Sequence, residues 1–217
     1  MNAEQARFNM IEQQIRPWSV LDLGVLDLLA LVKREDFVPA EHKSLAFMDV
    51  EVPLHGGQCM LAPRVEARLL QELKIARHEK VLEVGTGSGF MAALLGHKAQ
   101  RVETMEIDPV LAEQATANLR RAGMMNVRLH LQDGSQGLAA EGPFDAILLS
   151  GSVALVPPAL LAQLKVGGRL AAVVGEQPVM TGQLITRKSE HEYTTVQLFD
   201  TVAQRLIGFA EHPAFAF

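Results

Sequence analysis

The chain of 217 residues is 48% apolar and 21% charged, which is ample for one good-sized domain and excludes a disordered chain. Its formal net charge of -5 argues against gripping nucleic acid or an anionic membrane through a basic face. Cys59 is the only cysteine, so no internal disulfide can form, and a reducing, intracellular compartment is expected.

The opening residues Met1 to Gln5 carry acidic and polar groups where a secretory signal would have a basic cluster and an apolar core. No apolar run approaches the roughly 20 residues of a membrane helix, so the expectation is a soluble, cytoplasmic protein with no membrane partner. Residues 3–16 place Ala6, Met10, Ile11 and Ile15 at helical spacing until Pro17 stops the helix. Residues 22–34 repeat the pattern through Val25, Leu26, Leu28, Leu29 and Val32. From Phe37 to Pro63 the text is irregular, with Pro53, Gly56 and Gly57 punctuating short extended pieces, and a loop this long inside a compact domain is usually functional. Residues 64–74 are helical again, with Val65, Leu69, Leu70 and Leu73 on one side.

Strands are then expected at 81–84, 101–106, 127–131, 146–149 and 170–174, with helices near 89–97, 109–122 and 157–164 between most of them. Residues 181–187 and 192–198 form a closing antiparallel pair. The fold class is therefore α/β: a doubly wound, mostly parallel seven-stranded sheet with helices on both faces, Rossmann-like, with an N-terminal helical cap and antiparallel C-terminal strands. Residues 1–63 make the cap and loop, packed on a main domain of residues 64–217. Met124-Met125 reads as core.

Three features fall at the carboxyl ends of successive strands, where a doubly wound sheet gathers its ligand. Gly85-Thr86-Gly87-Ser88-Gly89 breaks an apolar run and opens a helix, so that bare backbone can approach a ligand at the helix N-terminus. Glu106, before Ile107-Asp108-Pro109, can take the two hydroxyls of a ribose. Asp133-Gly134 can accept from the exocyclic amine of an adenine. Taken singly, a Gly-x-Gly also serves plain corners, and either acid could be a solvated carboxylate or a helix cap. In this order they describe an adenosine site. A dinucleotide favours Gly-x-Gly-x-x-Gly, whereas the third glycine here comes early. Glu83, at the strand end, suits a cofactor carrying an amino group, such as S-adenosyl-L-methionine.

Glu83-Val84-Gly85-Thr86-Gly87-Ser88-Gly89 resembles the first motif of class I S-adenosylmethionine-dependent methyltransferases. The wider text resembles one branch, the protein-L-isoaspartate O-methyltransferases, which methylate the abnormal carboxylate of isoaspartyl residues in damaged proteins. The likeness runs through Arg34-Glu35-Asp36-Phe37-Val38-Pro39, Gly56-Gly57-Gln58 with Ala62-Pro63, and Asp133-Gly134-Ser135-Gln136-Gly137. It continues in Pro143-Phe144-Asp145-Ala146-Ile147 and in Gln163 to Leu170. The resemblance implies that Gly85, Thr86, Gly87, Ser88 and Gly89 wrap the methionine part of the cofactor. Glu106 and Ile107 would attend the ribose, Asp133 and Gly134 the adenine, and Gln58, Cys59, Met60 and Leu61 the sulfonium and the acceptor. The pattern breaks at Cys59-Met60-Leu61, where the family has Thr-Ile-Ser with a serine hydroxyl facing the substrate, because leucine cannot donate a hydrogen bond. It breaks again at Val202 to Ile207.

An ionised carboxylate acceptor needs no general base, so no catalytic residue can be named. A hydroxyl or amine acceptor would need one, and His55 is the nearest candidate in sequence, against the plainer reading of a loop side chain. The seven histidines, His42, His55, His78, His97, His130, His191 and His212, show no ligand spacing, and no metal is expected. The first expectation is an isoaspartyl carboxyl methyltransferase. The alternatives keep the cofactor and change the acceptor to an apolar small molecule bound by Met60 and Leu61, or retain the cofactor pocket without turnover.

Overall fold

The computed structural model describes residues 2–211. Helix α1 (Ala3–Met10) begins at Asn2, whose side chain accepts from the Gln5 N–H at 2.8 Å. It does not run unchanged to residue 16. Residues Ile11–Ile15 form a wider π turn and Arg16–Trp18 a 3-10 turn, because Pro17 has no N–H to continue the α ladder. Met10, Ile11 and Ile15 are buried all the same. Helix α2 (Leu23–Leu31) is capped by Asp22. The predicted irregular stretch contains a small antiparallel pair, β1 (Val52–Pro53) and β2 (Cys59–Met60). Gly56 and Gly57 turn between them at φ 65° and 73°. Helix α3 (Pro63–Leu73) has Pro63 in its first turn, where a missing N–H is harmless.

The alternating part follows as β3 (Lys80–Val84), α4 (Phe90–Lys98), β4 (Arg101–Glu106), α5 (Pro109–Arg121) and β5 (Val127–Leu131). It ends in β6 (Phe144–Val153), α6 (Pro158–Ala162), β7 (Leu164–Glu176), β8 (Val179–Arg187) and β9 (Tyr193–Thr201). One seven-stranded sheet has the order β5-β4-β3-β6-β7-β8-β9. The five strands from β5 to β7 are parallel, and β8 and β9 are antiparallel. The chain leaves β3 toward β4 and β5, then crosses back to place β6 on the other side of β3. That reversal opens a crevice outside the carboxyl ends of β3 and β6.

Alternate residues of the central strands feed two cores. Val81, Val102, Leu148 and Ala171 pack with the N-terminal helices and α4, including Met10, Leu29, Leu69 and Leu94. Leu82, Val84, Ile147 and Leu170 face the other way, against Leu160 of α6, Leu138 and Phe209. Strands β6 and β7 are longer than predicted, at 10 and 13 residues. Their ladder continues past Ser150-Gly151-Ser152 and through Gly167-Gly168 by shifting register, so residues outside the expected strand bounds join the sheet as bulges. Met125 corrects the reading of the Met pair as core: it is 94% exposed, and only Met124 packs on the core. Among the described residues no helix is long and apolar enough to cross a membrane. His212 lies outside the described residues.

Candidate functional site

The crevice beside β3 holds a cavity enclosing about 500 Å³ of empty space, its open mouth included. The turn after β3 is built as its sequence requires. Gly85, Gly87 and Gly89 take φ of 91°, 54° and 85°, where a Cβ is opposed. The Gly85 and Thr86 N–H groups both donate to the Met105 carbonyl, at 2.9 and 3.1 Å, which pins the turn to β4. A side chain could not enter. A Cβ on Gly85 would stand 2.7 Å from Leu206 Cδ2, and one on Gly134 would overlap Val84 Cγ1. Gly89 lies against Ala115 and Leu119 of α5 rather than against the cavity.

Glu106 ends β4 and is 5% exposed. Its Oε2 accepts from Gly87 N–H at 2.7 Å, and its Oε1 from Ile107 and Asp108 N–H at 2.9 and 3.0 Å. The helix-capping role falls to Asp108, whose Oδ1 accepts from Val110 and Leu111 at the start of α5. Its Oδ2 meets His55 Nδ1 at 2.9 Å. The His55 hydrogen bond is the main cause that holds the Asp108 carboxyl below its ordinary range. His55 therefore ties the 54–58 turn to α5.

Of the predicted site residues, Gln58, Cys59, Gly85, Gly87, Glu106, Ile107 and Gly134 line this cavity. Asp133 stands beside it, exposed, with Oδ1 accepting from Ser135 N–H at 2.8 Å. A second, smaller cavity lies alongside and shares Cys59, Gly85, Gly87 and Ser150 with the first. Met60, Leu61, Glu83, Thr86 and Ser88 line this inner one. Met60 and Leu61 are both 4% exposed, so the position that reads as serine in the resembling family is an interior one.

Glu83 is fully buried, with Ser150 Oγ donating to Oε1 at 2.7 Å and Thr104 Oγ1 to Oε2 at 2.6 Å. Burial pushes its pKa up to about 8 against the pull of those two hydroxyls, and the charges of Glu106 and Glu66 push the same way. A buried acid facing a cavity favours a cationic partner. Burial, followed by the Glu51 carboxylate, raises the Cys59 thiol to about 12. It is therefore a neutral thiol and no nucleophile. Among the described residues no group of three His, Cys, Asp or Glu could hold a metal ion.

Sequence reasoning missed two parts of the site. Ser150 follows the predicted strand 146–149, so the rule that collects ligands at strand ends would have found it. The apolar closure by Leu206, Ile207 and Phe209 left no local signal. It depends on a long-range contact in which Ser152 N–H donates to Gln204 O at 2.7 Å and Leu206 N–H to Ser152 O at 2.9 Å.

Bare backbone at Gly85, Gly87 and Gly134, a recessed acid at a β-strand end, and apolar walls fit a nucleoside. The adjoining inner cavity with Glu83 fits an attached chain that carries an amine. A model of the protein-L-isoaspartate(D-aspartate) O-methyltransferase family matches residues 5–203. A protein-L-isoaspartate O-methyltransferase from Koribacter versatilis is 40% identical over 202 residues, covering 93% of this chain and 90% of that protein. One from Rhodopseudomonas palustris is 38% identical over 200 residues, covering 92% of each. A solved protein-L-isoaspartate O-methyltransferase structure superposes with a TM-score of 0.78 at 22% identity, covering 95% of this chain and 66% of that one. A Plasmodium falciparum structure in complex with S-adenosyl-L-homocysteine gives a TM-score of 0.77 at 21% identity, covering 94% and 97%. At these identities the two structural likenesses speak for the fold.

Proposed function

The chain belongs to the protein-L-isoaspartate(D-aspartate) O-methyltransferase family, and from that premise we propose that it methylates the free carboxylate of isoaspartyl residues in damaged proteins or peptides. It is an S-adenosylmethionine-dependent O-methyltransferase. The observation that carries the assignment of residues is the bare-backbone cradle between Gly85 and Gly134, with Glu106 at its side and Glu83 in the adjoining cavity.

When bound, S-adenosylmethionine supplies an electrophilic methyl group on a sulfonium. Gly85, Thr86, Gly87, Ser88 and Gly89 hold the turn that surrounds its amino acid end, and Glu106 with Ile107 receives the ribose. Asp133 and Gly134 receive the adenine edge, and Glu83 receives the ammonium. Cys59 lines both cavities and its neighbour Gln58 lines the outer one, which supports a role for them at the junction where the acceptor has to arrive. An isoaspartyl carboxylate is ionised at neutral pH, so the chain has to align it and exclude water rather than take a proton from it. The neutral Cys59 thiol is suited to that place because it adds no negative charge against an incoming anion. A cytoplasmic setting is in keeping with the single cysteine.

The test is incorporation of labelled methyl from S-adenosylmethionine into an isoaspartyl peptide and into its aspartyl counterpart. Transfer to the isoaspartyl peptide alone supports the proposal, and transfer no greater than with heat-killed protein sinks it. A second reading has one observation in its favour: beside the buried Met60, Leu61 presents a buried apolar side chain where the resembling family has a serine hydroxyl. It gives the enzyme an apolar small-molecule acceptor. Faster labelling of an extract metabolite than of any peptide, slowed by Leu61→Ser, would support it.

A further inference from the structure

Among the described residues, the inner cavity has two acids on its wall and no base. Glu66 reaches it from α3 and Glu83 from β3, and no described Lys, Arg or His lines it. Both carboxyls are buried, at 5% and 0% exposure. Arg34, itself 1% exposed, ion-pairs with Glu66, and its Nη2 donates to the Leu61 carbonyl at 2.8 Å. With all three groups ionised, the cluster has one negative charge more than it can neutralise, in a place where an uncompensated charge is expensive. The protein at rest relieves the surplus by holding protons: burial raises Glu66 to about 7 in spite of Arg34, and Glu83 to about 8. A guest cation would relieve it without them.

The guest's origin is constrained by continuity. The inner cavity shares Cys59, Gly85, Gly87 and Ser150 with the outer one, so a molecule with its nucleoside in the outer cavity extends its other end toward Glu66 and Glu83. Glu83 already accepts one hydroxyl hydrogen bond on each oxygen, and a second carboxylate completes the surroundings of an ammonium group. We propose that Glu66 is a cofactor-binding residue which, with Glu83, seats the α-ammonium of the cofactor's amino acid end, Arg34 serving as the fixed counter-charge. This rests on the proposed cofactor site. It gives Glu66 a role beyond that of a structural partner for Arg34.

The test compares three nucleosides by calorimetry. These are S-adenosylhomocysteine, its decarboxylated analogue, which keeps the aliphatic amine, and methylthioadenosine, which has neither aliphatic amine nor carboxylate. Glu66→Gln should bind both amine-bearing ligands about tenfold more weakly or worse, the scale of one hydrogen bond to a charged group, while methylthioadenosine binds as it does to the natural chain. Because Glu66→Gln leaves Arg34 unpaired, Arg34→Met with Glu66→Met provides a second variant without a buried charge, and the same selective loss is expected. Equal weakening for all three ligands, or no weakening for the amines, overturns the role given to Glu66. If none of the three binds the natural chain, it is the cofactor site that fails.

Discussion

Glu83 offers the most direct control over the buried charge of the site. Its folded pKa of about 8 lies above the ordinary 4.5, so the folded chain binds more protons than the unfolded one between those values. Its contribution to stability is therefore complete below about pH 4.5 and is lost as pH rises through 8. At about 1.4 kcal/mol per pH unit, the full span from 4.5 to about 8 corresponds to a loss of at most about 5 kcal/mol. Glu66, raised to about 7, acts in the same direction. Glu79, Asp108, Glu141 and Asp145 are shifted downward and have the opposite sign, but they act as pH falls below about 4.5. Glu83→Gln keeps the side chain's shape and its capacity to bond Ser150 and Thr104 while removing the proton. In urea unfolding between about pH 5 and 8.5, the natural chain should lose stability steadily, and the variant should lose several kcal/mol less. Saturating S-adenosylhomocysteine should flatten the natural chain's curve, because its ammonium stabilises the charged acid. Parallel curves for the two unliganded proteins would refute the account of Glu83 as a protonated acid at rest.

Gly85→Ala places a Cβ at a φ of 91° and 2.7 Å from Leu206 Cδ2. Backbone strain of about 1–3 kcal/mol and a crowded cradle should weaken S-adenosylhomocysteine at least tenfold by calorimetry, and Leu206→Ala in the same chain should restore part of the loss. Arg34→Met strands Glu66 in the interior and should lower unfolding stability by about 3–5 kcal/mol at pH 8. Adding Glu66→Met should recover most of it in the same denaturation experiment. Asp108→Ala removes both the α5 cap and the tie to His55. It should cost about 1–2 kcal/mol and speed hydrogen exchange in the 54–58 turn.

The legible part of this chain is the part where a local signal and its tertiary role coincide. The glycines of 85–89 announce a strand-to-helix turn because positive φ demands them, and Glu106 follows from its place at a strand end. The length of β6 was hidden, since Ser150-Gly151-Ser152 has the composition of a break and becomes a strand only because β7 and the Gln204 carbonyl supply partners. Glu66 could not be recognised at all. It reads as a polar position on an amphipathic helix, and its burial depends on Arg34, 32 residues upstream. The C-terminal closure is equally non-local, because Leu206 acquires its role from docking beside Ser152 and over Gly85.

A crystal structure of the protein with S-adenosylhomocysteine tests the central claim most directly. The account predicts ribose hydroxyls within hydrogen-bonding distance of Glu106, the purine beside Asp133 and Gly134 under Phe209, and the amino group in the inner cavity against Glu83. A ligand bound elsewhere, or one whose ammonium points away from Glu83, would contradict it.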